Sequence, residues 1–136
     1  MPRSSPSAAS VKATQRFQRG FSVGSVHLNG KLTLGENTAD NGGTRLAYLA
    51  LKQAIAGKSV PLIDGYTPEQ RFFLAYAQSW CGNIRPEAAK LQALSDPHST
   101  AEYRVNGVVA NMPEFREAFQ CAAGAPLAPK QICRVW

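Results

Sequence analysis

The sequence predicts a mainly α-helical fold of four to five helices with irregular connections. Apolar residues recur at helical spacing between Gly35 and about Ala56. Three later segments begin with the Pro, Thr or Asn residues that favour a helix start. With 136 residues, 44% of them hydrophobic, the chain is long enough for one domain with an ordinary buried core.

The first predicted helix runs from Gly35 to about Ala56, and Gly57 follows at the position where a helix usually stops. Its spaced apolar positions are Leu46, Leu49, Ala50 and Ile55, with Tyr48 among them. The pair Gly42-Gly43 lies inside this helix, where each Gly costs about 1 kcal/mol relative to Ala. A tolerated glycine pair predicts close approach by another backbone or helix.

The second helix is predicted from Thr67 to about Trp80. Thr67 suits the N-cap, Pro68 the first helical position and Gln70 the third, which together form a capping box. The aromatic residues of this helix fall on one stripe, typical of a helix face in the core: Phe72, Phe73, Tyr76 and Trp80.

Two shorter helices follow. One opens at Arg85-Pro86 and runs through Leu94, ended by Asp96-Pro97 because a residue before proline avoids the α region. The other starts at a second predicted capping box, 111–114, and runs through Phe119. Between them, the valines and the Asn106-Gly107 pair of 103–110 indicate a turn or a short extended piece.

The basic charge is concentrated at the start of the chain. Of the 15 Lys and Arg residues, five precede the first acidic residue, Glu36, and the rest nearly balance the nine Asp and Glu residues. Residues 1–20 are therefore predicted to be a flexible basic leader, with organised structure starting near His27 and a domain over 21–136. A solvated tail is the favoured interpretation, and nucleic-acid binding through it is a distant alternative.

No apolar run approaches the roughly 20 residues that span a bilayer, and the leader lacks the apolar centre of a secretory signal. The leader has the composition of an organellar transit peptide, but we favour the start of a truncated reading frame. The three cysteines, Cys81, Cys121 and Cys133, form no CxxC pair, and their odd number leaves at least one thiol unpaired in an isolated chain. Partners outside the chain and three reduced, buried thiols are both open interpretations.

The motif with most chemical content is Glu36-Asn37-Thr38-Ala39-Asp40, which on a helix places two carboxylates one turn apart. Such a motif forms half of a zinc-protease site, whose other half is HExxH. The only histidines are His27 and His98, and neither has a second histidine four residues later. The chain therefore has the third-ligand motif and lacks its complement.

Further strings in the same order complete a resemblance to the neprilysin and endothelin-converting-enzyme family of zinc metalloendopeptidases. They cover about residues 21–136 and resemble the C-terminal part of that family's catalytic domain, which has a gluzincin (thermolysin-like) fold. The strings are His27-Leu-Asn-Gly30, Thr33-Leu-Gly-Glu-Asn37, Ala39-Asp-Asn-Gly-Gly43, Thr67-Pro-Glu-Gln-Arg-Phe-Phe-Leu-Ala-Tyr-Ala-Gln78, Trp80-Cys-Gly82, Arg85-Pro-Glu87, Asp96-Pro-His-Ser99, Tyr103-Arg-Val-Asn-Gly107, Asn111-Met-Pro-Glu-Phe115 and Cys133-Arg-Val-Trp136.

The resemblance implies roles for four residues. Glu36 matches the third protein ligand of zinc, and Asp40 the carboxylate that orients a zinc-bound histidine. His98 matches the histidine that donates a hydrogen bond to the oxyanion, and Arg104 the arginine that binds a substrate backbone carbonyl. Without the resemblance, these would be solvent-facing carboxylates, a loop histidine and a surface charge. His27 receives no role and is expected to be structural.

The implied function is zinc-dependent hydrolysis of peptide bonds, with this chain inactive alone because it lacks HExxH. The alternative is a non-catalytic remnant or partner-binding module that complements a separately encoded N-terminal part. The resemblance also implies that the three cysteines pair with upstream cysteines, and that complete members work outside the cytoplasm. A peptide substrate and the missing N-terminal part are the expected partners, and neither nucleic acid nor a membrane segment of this chain is expected.

Overall fold

The computed structural model of the protein describes residues 21–133. A two-stranded hairpin leads into five helices in this part of the chain, which confirms the predicted mainly α-helical class. The strands are β1 (Ser22–Val23) and β2 (Val26–His27), and the helices are α1 (Leu34–Ile55), α2 (Pro68–Ser79), α3 (Pro86–Ser95), α4 (Ala101–Val109) and α5 (Pro113–Ala118). No helix within 21–133 is long and apolar enough to cross a membrane.

The hairpin corrects the expectation that organised structure starts near His27. β1 and β2 pair antiparallel across a turn at Gly24, whose φ of 60° favours glycine. The ring of Phe21 stacks on Tyr103 with centroids 4.2 Å apart, and the Tyr103 hydroxyl donates a 2.6 Å hydrogen bond to the carbonyl oxygen of Ser22. These contacts with α4 order the hairpin, so no local pattern could predict it. The leader predicted over 1–20 lies outside the described residues.

Helix α1 matches its predicted bounds to within a residue, but the face that it buries is polar. Leu46 and Leu49, which helped to define the helical period, are 58% and 46% exposed. The buried residues of α1 are Asn37, Asn41, Gly42, Thr44 and Tyr48. A Cβ at Gly43 would meet no atom within 4 Å, so the close approach predicted for the glycine pair does not extend to Gly43.

Helix α2 begins with the predicted capping box. The backbone nitrogen of Gln70 donates to Thr67 Oγ1 at 3.2 Å, and the backbone nitrogen of Thr67 donates to Gln70 Oε1 at 2.9 Å. Phe73 of this helix is 2% exposed and lies in the main core cluster with Tyr48, Val108, Val109 and Met112. Phe72 and Tyr76 pack against that cluster, while Trp80 lies beside Arg104 instead.

Helix α3 ends as predicted, with Asp96 in an extended conformation (φ −89°, ψ 137°) before Pro97. The turn or extended piece predicted for 103–110 is wrong, because 101–109 form α4. Gly107 and Val108 are buried in α4, so tertiary packing outweighs the local turn preference of Asn106-Gly107.

The capping box predicted for 111–114 is also wrong. Helix α5 begins at Pro113 with Met112 as its N-cap, and that residue makes no side-chain capping bond. The side chain of Asn111 instead donates to Asn41 Oδ1 at 3.2 Å and to the Gly107 carbonyl oxygen at 3.0 Å. Asn111, which the local pattern predicts to be an N-cap, therefore bonds to the buried face of α1 instead.

Candidate functional site

The four residues singled out by sequence form one connected cluster. Glu36 and Asp40 are one turn apart on α1, His98 lies in the loop between α3 and α4, and Arg104 is on α4. His98 Nε2 is 3.2 Å from Glu36 Oε2, and Arg104 Nη2 is 3.9 Å from that same oxygen. Three separate elements thus contribute to one cluster of charged side chains.

Arg104 and Asp40 form the most buried ion pair of this cluster. Arg104 Nε donates to Asp40 Oδ2 and Nη2 to Oδ1, both at 2.6 Å, and the two side chains are 14% and 13% exposed. The bonds to Asp40 raise the pKa of Arg104 above its usual range. The guanidinium also lies 4.1 Å from the ring centroid of Trp80, and the carbonyl oxygen of Arg104 accepts a 2.9 Å bond from the Tyr76 hydroxyl. Arg104 is therefore held in one orientation.

His98 is held by Asp96, two residues before it. Asp96 Oδ1 lies 2.7 Å from His98 Nδ1 and accepts a hydrogen bond of 2.8 Å from the backbone nitrogen of His98. These two bonds lower the pKa of Asp96, the backbone bond contributing most. Because Asp96 engages Nδ1, the opposite ring nitrogen, Nε2, points towards Glu36.

Two residues that sequence reasoning left without a role lie beneath this cluster. The Ser99 hydroxyl donates a 2.8 Å hydrogen bond to Asn37 Oδ1, and both side chains are buried. Asn37 follows Glu36 and Ser99 follows His98. In the sequence, only their position next to a predicted site residue indicates that they belong to the site. Trp80, predicted to lie in the core, is a third neighbour of the site, which its place in the apolar stripe did not reveal.

A cleft of about 210 Å³ opens beside His98 and Arg104. Trp80, Asn83 and Ile84 form part of its wall. The cleft thus combines apolar surface with a histidine and an arginine.

The described residues fit a zinc ion only in part. Glu36 offers a carboxylate that is 42% exposed, which is suitable ligand chemistry, but a zinc site uses at least three protein ligands. Within 21–133, no group of three or more His, Cys, Asp or Glu residues is placed to hold a metal ion. The described part of the chain does not form a complete zinc site.

The remaining candidate residues are His27 and the three cysteines. His27 Nδ1 is 2.6 Å from Ser22 Oγ within the hairpin. The three cysteines are free; Cys81 is exposed, and Cys121 and Cys133 are partly buried. The sequence left open the interpretation that all three thiols are buried. This interpretation is wrong for Cys81, which is exposed.

Comparison with known proteins places this geometry in context. The model of peptidase family M13 matches residues 8–135. Neprilysin-1 of Caenorhabditis elegans is 48% identical over 116 residues, which are 82% of this chain and 15% of that protein. Membrane metallo-endopeptidase-like 1 of Homo sapiens is 49% identical over 114 residues, 81% of this chain and 14% of that protein.

The fold agrees with the sequence match. The crystal structure of the Mycobacterium tuberculosis zinc metalloprotease Zmp1 in complex with an inhibitor superposes with a TM-score of 0.87 and 32% identity. The superposition covers 95% of this chain and 20% of that one. The chain thus has the fold of one region of such a protease, and it spans about 15% of the length of the curated relatives it matches.

Proposed function

The chain belongs to peptidase family M13, and we propose that it supplies the third zinc ligand and the transition-state-binding side chains of a zinc metalloendopeptidase. One observation carries the proposal: contacts of less than 4 Å link His98 to Glu36, Glu36 to Arg104 and Arg104 to Asp40, so that residues from two helices and a loop form one connected cluster. Separated in sequence, they would meet by chance only rarely. In this proposal the substrate is a peptide.

Glu36 is the ligand in this proposal, because its carboxylate is half-exposed while that of Asp40 is engaged by Arg104. Each carboxylate oxygen has two acceptor sites, so Asp40 can bind Arg104 and still accept a hydrogen bond from the ring N–H of a zinc-bound histidine. Bound zinc would supply a Lewis acid that polarises the scissile carbonyl and lowers the pKa of a water molecule.

His98 and Arg104 bind the substrate in this proposal. A His98 ring that carries hydrogens on both nitrogens would donate from Nδ1 to Asp96 and from Nε2 to the carbonyl oxygen, stabilising the charge on that oxygen as water adds to the carbon. Arg104 keeps donor hydrogens beyond those given to Asp40, and these would bind a backbone carbonyl of the peptide in the neighbouring cleft.

The two histidine ligands and the general base of HExxH would come from polypeptide outside these 136 residues, since the sequence contains only His27 and His98. By itself the chain is then proposed to be inactive. A partner-binding module without catalysis is the competing function, and the exposed apolar side chains of α3 are the observation in its favour: Leu91 is 65% and Leu94 63% exposed.

Reconstitution tests the proposal. The chain is combined with a family segment that carries HExxH, and hydrolysis of a peptide is followed with and without a zinc chelator. We expect chelator-sensitive hydrolysis that His98→Ala reduces by roughly 10²–10³-fold in kcat, the usual effect of removing one oxyanion donor. His27→Ala is the matched control and should retain the activity. A stable complex that never hydrolyses peptide would favour the binding module.

A further inference from the structure

A buried hydrogen bond lies directly below the exposed contact between Glu36 and His98. Ser99 Oγ donates to Asn37 Oδ1 at 2.8 Å across 62 residues of sequence. Asn37 is 3% exposed and Ser99 2%, whereas the side chains of Glu36 and His98 are each 42% exposed. Asn37 follows Glu36 in the sequence, and Ser99 follows His98. The buried bond thus joins the same two segments as the exposed contact between Glu36 and His98.

The amide of Asn37 is fixed in the orientation that this bond requires. Its Nδ2 donates to Thr33 Oγ1 at 3.0 Å, and the Thr33 hydroxyl donates to the carbonyl oxygen of Asn29 at 3.3 Å. With the nitrogen so engaged, Oδ1 faces Ser99. Thr33 is 1% exposed, so this chain of bonds lies in a dry interior, where leaving a polar group without a partner costs about 1–3 kcal/mol.

The exposed contact between Glu36 and His98 is too weak to fix by itself the position of the His98 loop relative to α1. An exposed ion pair contributes about 0–1 kcal/mol and samples many geometries. The buried bond has a single geometry and a substantial cost of rupture. The buried bond between Ser99 and Asn37 therefore determines most of the position of the His98 backbone relative to α1.

We propose that Asn37 and Ser99 are positioning residues that hold His98 in register with Glu36. Neither would touch substrate or metal, and each acts through its neighbour in sequence. The catalytic part of this inference rests on the proposed function, since register matters for rate only if His98 serves the reaction. A displacement of about 1 Å at such a group can lower a rate by about 10²-fold.

The chain offers a matched control for buried amide loss. Asn111 is 7% exposed and bonds to Asn41, on the same face of α1 as Asn37 and one turn further along. Asn111→Ala removes a buried amide bond from α1 without touching the segment that bears His98. It should lower stability as Asn37→Ala does and leave His98 in place.

The first measurement is ring dynamics by NMR on the 136-residue chain. His27 is the only other histidine and serves as the internal reference in every sample. In Ser99→Ala and Asn37→Ala we expect the order parameter of the His98 ring to fall below its value in the parent, with that of the His27 ring unchanged. In Asn111→Ala the order parameter of the His98 ring should match that of the parent. The same is expected of Ser99→Thr, because threonine keeps the hydroxyl. If Ser99→Ala does not fold, Asn37→Ala decides, because an ordered His98 ring in that variant overturns the proposal.

The second measurement uses the reconstituted peptidase. Ser99→Ala and Asn37→Ala should lower kcat roughly ten- to a hundredfold with KM little changed, and Ser99→Thr should restore most of kcat. Equal effects in Asn111→Ala, or an ordered His98 ring in Ser99→Ala, would overturn the positioning role. Should the wild-type complex show no hydrolysis, the proposed function fails, while the NMR comparison still decides whether Asn37 and Ser99 hold His98.

Discussion

Arg104 and Asp40 face each other through two parallel hydrogen bonds of 2.6 Å, which join α4 to α1 across 64 residues of sequence. This fork geometry is the strongest arrangement available to a guanidinium and a carboxylate. The buried polar face of α1 is satisfied separately, by the hydrogen bonds of Asn37 and Asn41. Fold stability and the candidate site therefore share one interaction.

Replacing Asp40 by Asn tests that shared role. Asp40→Asn keeps the shape of the side chain but leaves Arg104 facing a neutral amide, so we expect the free energy of unfolding to fall by roughly 1.5–3 kcal/mol. Urea denaturation of the isolated chain measures it. Glu36→Gln is the control, since Glu36 is 42% exposed and 3.9 Å from Arg104, and it should cost less than about 1 kcal/mol. Equal losses in the two variants would contradict this account.

Alkaline pH should weaken the link between α2 and α4 through Tyr76. Burial is the main cause that raises the pKa of Tyr76, so the folded state favours the neutral hydroxyl that donates to the Arg104 carbonyl oxygen. A pKa raised on folding gives stability that is present below the unfolded value near 10 and lost as pH rises through the folded value.

Tyr76→Phe keeps the ring and removes the hydroxyl. We expect it to cost about 0.5–1.5 kcal/mol at neutral pH and to make the loss of stability above about pH 10 shallower. Denaturation curves at pH 7 and pH 10.5 provide the comparison, and ultraviolet titration identifies the missing phenolate transition. An identical alkaline slope in the parent and Tyr76→Phe would show that another group governs it.

The exposed leucines of α3 should make the chain prone to association. Leu91 and Leu94, 65% and 63% exposed, are three residues apart and share one side of the helix. The double change Leu91→Gln and Leu94→Gln should reduce light scattering at high concentration and change stability by less than about 0.5 kcal/mol. On the same helix Ala93 is 1% exposed, and Ala93→Gln should instead destabilise the fold. Unchanged scattering in the double variant would exclude this surface as the cause.

The sequence predicted those elements whose signals are local. Thr67 and Gln70 sit three residues apart, and their reciprocal bonds need nothing beyond one helical turn. The sequence does not predict helix α4 over 101–109, because burial stabilises Gly107 and Val108 in the helix, and a turn-forming Asn-Gly pair does not reveal that burial. The polar interior of α1 was missed for a related reason: periodicity in apolar residues cannot show that Asn37 and Asn41 face inwards.

In the candidate site, too, the local sequence pattern predicts only some of the residues. Glu36 and Asp40 could be placed on one face from spacing alone, whereas His98 and Arg104 entered through family resemblance. Their meeting depends on contacts over more than sixty residues, such as the bond between Asn37 and Ser99. Such pairings are determined by tertiary packing, and only adjacency to Glu36 and His98 hinted at them.

The central claim is that Glu36 completes a zinc site whose other ligands come from polypeptide outside this sequence, and zinc content after gel filtration tests it most directly. The isolated chain should retain no stoichiometric zinc, because a single carboxylate cannot match a site with three protein ligands. Bound to a segment that carries HExxH, the chain should retain one zinc ion per complex, and Glu36→Gln should lose it. Stoichiometric zinc on the chain alone, or equal zinc in the Glu36→Gln complex, would contradict the claim.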